Sequence, residues 1–220
     1  MLFASREGSP RARFRSGVAF LKGGGVRQAN VLIVDDDPIV RLDLKTLVKT
    51  MGHAVVGEAD TGGQAIALAR SLKPDLVLID IVLPSISGLD VARMLTNERI
   101  APVVVFTGSA NPETAALAYS AGVMGFLSKP VRSSDLGPAI AIAIARYSEL
   151  IALENEVKSL NARMEARRLV GRAKAILMEK QGLPEREAFR RIQAQSAALG
   201  KPVQEIAQAI ITASEISSAV

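Results

Sequence analysis

The chain has 220 residues, 49% hydrophobic and 22% charged, which is enough for one medium domain with a packed core and a second small one. It has no cysteine and a single histidine, which removes disulfides, thiol nucleophiles and cysteine-based zinc sites and argues against His-Asp-Ser chemistry. The net charge of +5 is unevenly placed: residues 1–29 carry Arg6, Arg11, Arg13, Arg15, Lys22 and Arg27 against Glu7 alone, so the high isoelectric point says little about the folded body.

In chain order, residues 1–29 are rich in Gly, Ser and Arg and carry three consecutive glycines at 23–25, a composition expected of a disordered basic tail. Residues 30–147 then alternate two kinds of segment. Short apolar runs at 31–34, 54–57, 76–79, 103–106 and 124–127 are near-continuous, as expected of strands buried on both faces of a parallel sheet. Helical patterns separate them. The first carries Ile39, Leu42, Leu44, Leu47 and Val48. The second carries Ala65, Ile66, Leu68 and Ala69, with Thr61 and Gln64 spaced as a capping box. Leu89, Val91, Ala92 and Leu95 mark the third, and Asn111-Pro112 opens the fourth as N-cap and first helical residue. Ser133 is placed to cap the fifth. Five such βα units predict a doubly wound α/β domain with a five-stranded parallel sheet and a ligand site beyond the carboxyl ends of its strands. His53, after Met51-Gly52, reads as a turn residue with no partner among its sequence neighbours.

From Ile144 onward no strand pattern remains. Leu150, Leu153, Val157, Leu160 and Met164 are spaced 3-4-3-4, the seam of a coiled coil, which makes residues 148–163 a helical linker and a candidate dimer contact. Residues 164–220 predict a small all-α domain of three helices. The first ends at Gly182, the second at Gly200, and the third follows Pro202 with Val203, Ile206, Ala207, Ile210 and Ile211 on one face. No apolar run approaches the length of a membrane helix: residues 139–145 are apolar but short, and Arg146 closes the stretch. The expectation is a cytoplasmic protein with no membrane partner.

Chemistry-bearing residues gather at the strand ends. Asp35, Asp36 and Asp37 follow the first strand, Asp80 the third, Thr107 the fourth and Lys129 the fifth. In a parallel sheet these ends face one side. Clustered carboxylates repel one another unless a cation joins them, and a hard oxygen-binding ion, Mg²⁺, fits the donor set. One carboxylate can then attack phosphorus to form an acyl phosphate, while Lys129 neutralises charge and Thr107 hydrogen-bonds a phosphoryl oxygen. The most central carboxylate, Asp80, is the expected nucleophile. Asp37 reads as a helix-start residue.

On Asp35-Asp36, Asp80 followed by Ile81-Val82-Leu83-Pro84, Thr107 and Lys129-Pro130, residues 30–147 resemble the receiver domain of two-component response regulators, which has a flavodoxin-like fold. The resemblance implies that Asp36 and Asp80 bind Mg²⁺ directly with the Val82 carbonyl, and that Asp35 acts through a bound water. It implies that Lys129 pairs with the phosphoryl group, that Thr107 moves toward it, and that Phe126 turns inward as the switch aromatic. A sensor histidine kinase is the implied phosphoryl donor, and the chain is not expected to be an enzyme beyond slow self-dephosphorylation.

The C-terminal helices are basic outside and apolar inside. Arg168 and Arg172 share one face, and Leu169, Ala173, Ile176 and Leu177 form the other. Ala188, Phe189, Ile192 and Leu199 are expected to do the same for the second helix, with Phe189 in the core rather than acting as a base-stacking platform. The stretch 168–178, with Gly182, Glu185, Glu187-Ala188-Phe189, Ser196 and Ile206-Ala207, resembles the ANTAR domain of transcription antitermination regulators. That resemblance implies binding to stem-loop RNA in leader transcripts by a dimer that forms on phosphorylation. Arg168, Arg172, Lys174, Arg190 and Arg191 are the candidate RNA contacts. Two positions depart from the family pattern: Ala175 replaces a usual Gly, and Pro184 replaces a usual N-capping Ser or Thr. A DNA-binding output is the alternative, but the third helix lacks the basic residues a recognition helix needs. A protein-binding output with the same receiver is a second alternative. A metabolite acyl-phosphate hydrolase would need a covering insertion that these short loops do not supply.

Overall fold

The computed structural model describes residues 28–109 and 111–217. Five strands, β1 (Asn30–Val34), β2 (Ala54–Ala59), β3 (Leu76–Asp80), β4 (Val103–Thr107) and β5 (Gly125–Ser128), form one parallel sheet in the order β2-β1-β3-β4-β5. β3 and β4 are buried along their whole length, which is why their sequences run apolar without alternation. The helices are α1 (Pro38–Thr50), α2 (Gly62–Leu72), α3 (Gly88–Asn97), α4 (Pro112–Ser120), α5 (Ser133–Gln181), α6 (Glu185–Leu199) and α7 (Val203–Ser217).

The sheet is covered on both faces, as a doubly wound fold requires. On one face Leu32, Val77, Ile79 and Val105 pack with Ala65, Ala69, Val91, Leu95 and Ala118 from α2, α3 and α4. On the other, Ile33, Leu78, Val104 and Phe106 pack with Leu44 and Val48 of α1 and with Leu136, Ile140 and Ala143 of α5. The chain divides into two compact units after Ala152. In the second, Ala173 and Leu177 of α5, Ala188 and Ile192 of α6, and Ile206, Ala207 and Ile211 of α7 make a separate core.

Local sequence explains most of the helix ends. Asp37 caps α1 by accepting the Ile39 N–H at 2.8 Å, and Pro38 is its first residue. Asn111 caps α4 through the Thr114 N–H at 2.8 Å. Thr61 caps α2 through Gln64, whose own side chain reaches past the cap to the Asp60 N–H. Gly200 closes α6 at φ 62°, a conformation glycine adopts without strain. Pro184 stands at the N-cap of α6 and supplies no side-chain hydrogen bond.

Several expectations need correction. Ile39 and Leu42 are 68% and 61% exposed, so the inner face of α1 is Val40, Leu44, Leu47 and Val48. Ser133 is the first residue of α5 rather than its cap. The fifth receiver helix, the linker and the first output helix are one continuous helix of 49 residues, because nothing between Pro138 and Gly182 breaks it: Gly171 is a lone helical glycine. By length and composition α5 is also long and apolar enough to cross a membrane, contrary to the reading of residues 139–145 as too short. Three of its apolar residues, Leu136, Ile140 and Ala143, are committed to the receiver core. Phe189 and Leu199 point outward, leaving Ala188 and Ile192 as the buried stripe of α6. His53 is buried, and its Nδ1 accepts the N–H of Ala29 at 3.2 Å, a partner distant in sequence. Burial pulls its pKa below the usual imidazole value. The expected disordered tail lies outside the described residues except Gln28 and Ala29, and Ala29 is buried.

Candidate functional site

β1 and β3 are neighbours whose following helices, α1 and α3, lie on opposite faces of the sheet, and the crevice at their carboxyl ends is where such folds bind ligands. The strand ends bring carboxylate oxygens of Asp35, Asp36 and Asp80 within 4.8 Å of one another. Asp35 is fully buried, Asp80 is 5% exposed and Asp36 faces solvent. Lys129 reaches across from the end of β5, its Nζ lying 2.7 Å from Asp35 Oδ2 and 2.6 Å from Asp80 Oδ2. The same ammonium lies 5.2 Å from the centre of the Phe106 ring, whose face attracts cations.

The electrostatics follow from this packing. Burial raises the pKa of Asp35 above its ordinary value, and the bonds from Lys129 and the Asp37 N–H offset only part of that. Burial works against the charged form of Lys129, but its hydrogen bonds to Asp35 and Asp80 outweigh it and raise its pKa. The pocket thus holds more carboxylate than one ammonium neutralises. An all-oxygen donor set of this size suits Mg²⁺.

The other predicted residues fall around it. The Val82 N–H donates to Asp80 Oδ1 at 3.3 Å, which puts the Val82 peptide at the pocket. Thr107 is buried at the end of β4, and its hydroxyl accepts the Ser109 N–H at 3.1 Å. Its carbonyl accepts the Lys129 N–H at 2.8 Å, tying the ends of β4 and β5 together. Phe126 is half-buried on β5 and packs on the α2–α4 side of the sheet. Leu153, Val157, Leu160 and Met164 are all exposed along α5, between 49% and 68%, and Leu150 is half-buried.

In the second unit, Arg168, Arg172, Arg190 and Arg191 are exposed and Lys174 is half-buried. Arg168 pairs with Glu165 at 3.4 Å, Arg172 with Glu215 at 3.2 Å, and Lys174 with Glu185. Arg191 donates to Gln181 at 2.9 Å. Lys174 holds the Glu185 carboxyl below its ordinary range.

Two residues at the receiver pocket escaped the sequence reading. Arg41, in the first turn of α1, folds back so that Nη1 donates to the carbonyls of Asp35 at 2.7 Å and Asp36 at 3.2 Å. Its only sequence signal is a cation one turn after the acidic run. Gly88 opens α3 directly over Asp80: a Cβ there would lie 1.8 Å from the Asp80 carbonyl oxygen. The helix pattern marks Gly88 only as a residue before Leu89, and the close approach comes from the tertiary fold.

Comparison with known proteins agrees with this geometry. Residues 31–141 match the response regulator receiver domain, and residues 158–211 match the ANTAR domain. The chain is 40% identical over 181 residues to the transcriptional regulatory protein PdtaR of Mycobacterium tuberculosis strain H37Rv, covering 82% of this chain and 88% of that one. Among solved structures, the signal receiver domain of the putative response regulator NarL from Mycobacterium tuberculosis superposes with a TM-score of 0.52 at 27% identity, covering 54% of this chain and 97% of that one. A LuxR-family two-component response regulator from Aurantimonas sp. SI85-9A1 gives 0.51 at 31% identity, over 58% of this chain and 98% of that one. With the acidic pocket at the ends of a β2-β1-β3-β4-β5 sheet and both domain matches in this order, the chain belongs to the response regulators that carry a receiver domain followed by an ANTAR domain.

Proposed function

We propose that this chain is a cytoplasmic regulator switched by phosphorylation of Asp80, which then binds stem-loop RNA in leader transcripts and promotes transcription antitermination. The observation that carries the switch is Lys129, held between Asp35 and Asp80 at 2.7 and 2.6 Å in a pocket of three carboxylates. Asp36, Asp80 and the Val82 carbonyl would hold Mg²⁺, with Asp35 acting through a water. The bound ion would supply charge neutralisation for the phosphoryl oxygens.

The chain's own residues do the rest. Asp80 presents a carboxylate oxygen to the phosphorus of a phosphohistidine on a sensor kinase. The new O–P bond forms as the N–P bond breaks, and its electron pair leaves with the histidine nitrogen. Lys129 exchanges its Asp80 contact for the phosphoryl group. Thr107 then turns its hydroxyl from Ser109 toward a phosphoryl oxygen, and Phe126 follows inward into the space vacated. This change favours a dimer through the exposed seam Leu150, Leu153, Val157, Leu160 and Met164. The dimer presents Arg168, Arg172, Lys174, Arg190 and Arg191 to RNA phosphates and exposed loop bases.

The output reading is supported by the basic outer face of α5 and α6. It is also supported by α7, which carries no lysine or arginine and spends Ile206, Ala207 and Ile211 on the core. The test is binding to a leader RNA with tandem stem-loops and to matched duplex DNA, with and without acetyl phosphate. The expected outcome is RNA binding that strengthens on phosphorylation and is lost in Asp80→Asn. Equal or tighter DNA binding would support the DNA-binding alternative instead, and binding to neither would favour a protein partner.

A further inference from the structure

Asp35 and Asp36 are consecutive, and consecutive side chains in extended backbone point to opposite sides. To aim both carboxylates at one point, the chain between β1 and α1 must bend sharply. The bend is pinned at several atoms. The Asp35 N–H donates to the Ala59 carbonyl at 3.2 Å, and the Asp37 N–H donates to Asp35 Oδ1 at 2.8 Å. The bend takes the carbonyls of Asp35 and Asp36 out of the strand ladder and ahead of the α1 hydrogen bonds, which begin with the Asp37 carbonyl. Both are instead satisfied by one guanidinium nitrogen of Arg41, at 2.7 and 3.2 Å. The Arg41 side chain is only 18% exposed, and Glu58 of β2 stands 3.9 Å from its Nε, with Lys45 on the far side of Glu58.

We infer that Arg41 is a positioning residue for the cation site: it holds the backbone of the Asp35–Asp36 bend so that both carboxylates face Asp80. Two effects of the guanidinium oppose each other. Its positive charge near the pocket disfavours a divalent cation, while its hydrogen bonds fix the ligands. Glu58 partly neutralises the charge, so the positioning effect wins. One guanidinium nitrogen serves both carbonyls, and Glu58 lies beyond hydrogen-bond distance of Nε, so an ammonium at this position would copy only part of the hold. The inference rests on the Mg²⁺ reading of the pocket and extends it to a residue that would touch neither the ion nor the phosphoryl group.

The test uses the full chain and Mg²⁺ alone, titrated calorimetrically into wild type, Arg41→Ala, Arg41→Lys, Glu58→Gln and Asp80→Asn. Removing a residue that supports metal ligands typically costs about 10- to 100-fold in affinity. Arg41→Ala should therefore weaken Mg²⁺ binding about 10-fold, and Arg41→Lys by a smaller factor. Acetyl-phosphate labelling measured across Mg²⁺ concentrations should show a raised half-saturation with a plateau rate close to wild type, a split that general loss of structure does not produce. Unchanged or tighter Mg²⁺ binding by Arg41→Ala, or a lower plateau at unchanged half-saturation, overturns the inference. Should Arg41→Ala fail to fold, wild-type affinity in both Arg41→Lys and Glu58→Gln overturns it. Asp80→Asn separates the two readings. If it binds Mg²⁺ as wild type does, the cation site itself is misplaced and the Arg41 role falls with it. If it loses Mg²⁺ while Arg41→Ala does not, only the Arg41 role falls.

Discussion

At the scale of single residues, the receiver pocket is set by a few atoms that cannot move. Gly88 is one. Its N–H donates to the Ile81 carbonyl at 2.9 Å, and a methyl group there would overlap the Asp80 carbonyl oxygen. Gly88→Ala must push α3 away from β3, a buried overpacking that costs about 2–3 kcal/mol. Urea unfolding should show this loss, and acetyl-phosphate labelling of Asp80 should fall with it. Asp35 is another. Its pKa is raised by burial, so the folded state holds its proton more tightly than the unfolded chain does. Such a group gives stability that is present below its unfolded pKa, near 3.8, and is lost as pH rises through its higher folded value. Without Mg²⁺, Asp35→Asn should therefore gain stability relative to wild type between about pH 4 and pH 7. Denaturant melts at both pH values check this, and a constant difference would mean that Asp35 titrates alike in both states. Asp80, Asp36, Thr107 and Lys129 were legible in the sequence because each ends a strand or follows its end within two residues, and parallel strands end together. Arg41 and Gly88 were not, because what they touch is backbone, and backbone contacts leave no residue-type signature.

At the scale of elements, periodicity found every strand and helix of the sheet domain but not always the face each helix buries. Ile39 and Leu42 read as part of an apolar stripe in α1, yet both are exposed, because Val40 and Leu47 take the inner positions. Phe189 failed for the same reason: Ala188 and Ile192, four residues apart, set the buried line of α6, and Phe189 lies beside it. The merging of three expected segments into α5 was hidden because a helix without breakers carries no internal boundary. The merged helix gives the seam its meaning. Among the described residues Leu153 and Leu160 remain 55% and 49% exposed, part of an apolar row along α5. Burying a leucine side chain contributes about 1.5–3 kcal/mol, and a two-fold contact counts each position twice. Leu153→Asp with Leu160→Asp should weaken a dimer formed with acetyl phosphate by more than about 100-fold, read as mass in solution. An unchanged mass would place the dimer contact elsewhere.

At the scale of the whole molecule, charge would decide how the output unit meets the RNA proposed as its ligand. Of the five basic candidates, Arg168, Arg172 and Lys174 already face carboxylates, those of Glu165, Glu215 and Glu185. Exposed pairs of this kind are weak and give way to a polyanion, but each carboxylate left at the interface still repels a phosphate. Glu185 comes from α6 and Glu215 from α7, so one variant can remove both without touching a basic residue. Neutralising them as Glu185→Gln with Glu215→Gln should tighten RNA binding several-fold at 0.1 M salt. Each phosphate contact so released adds about 0.7–0.9 to the slope of log affinity against log salt, so the double variant should steepen that slope by roughly 1–2. Filter binding over a salt series reads both quantities. A steeper slope with tighter binding places RNA phosphates against Arg172 and Lys174. Weaker binding at unchanged slope means that the two glutamates serve the helix packing and that the RNA lies on another face, with Arg190 and Arg191 as the next residues to substitute.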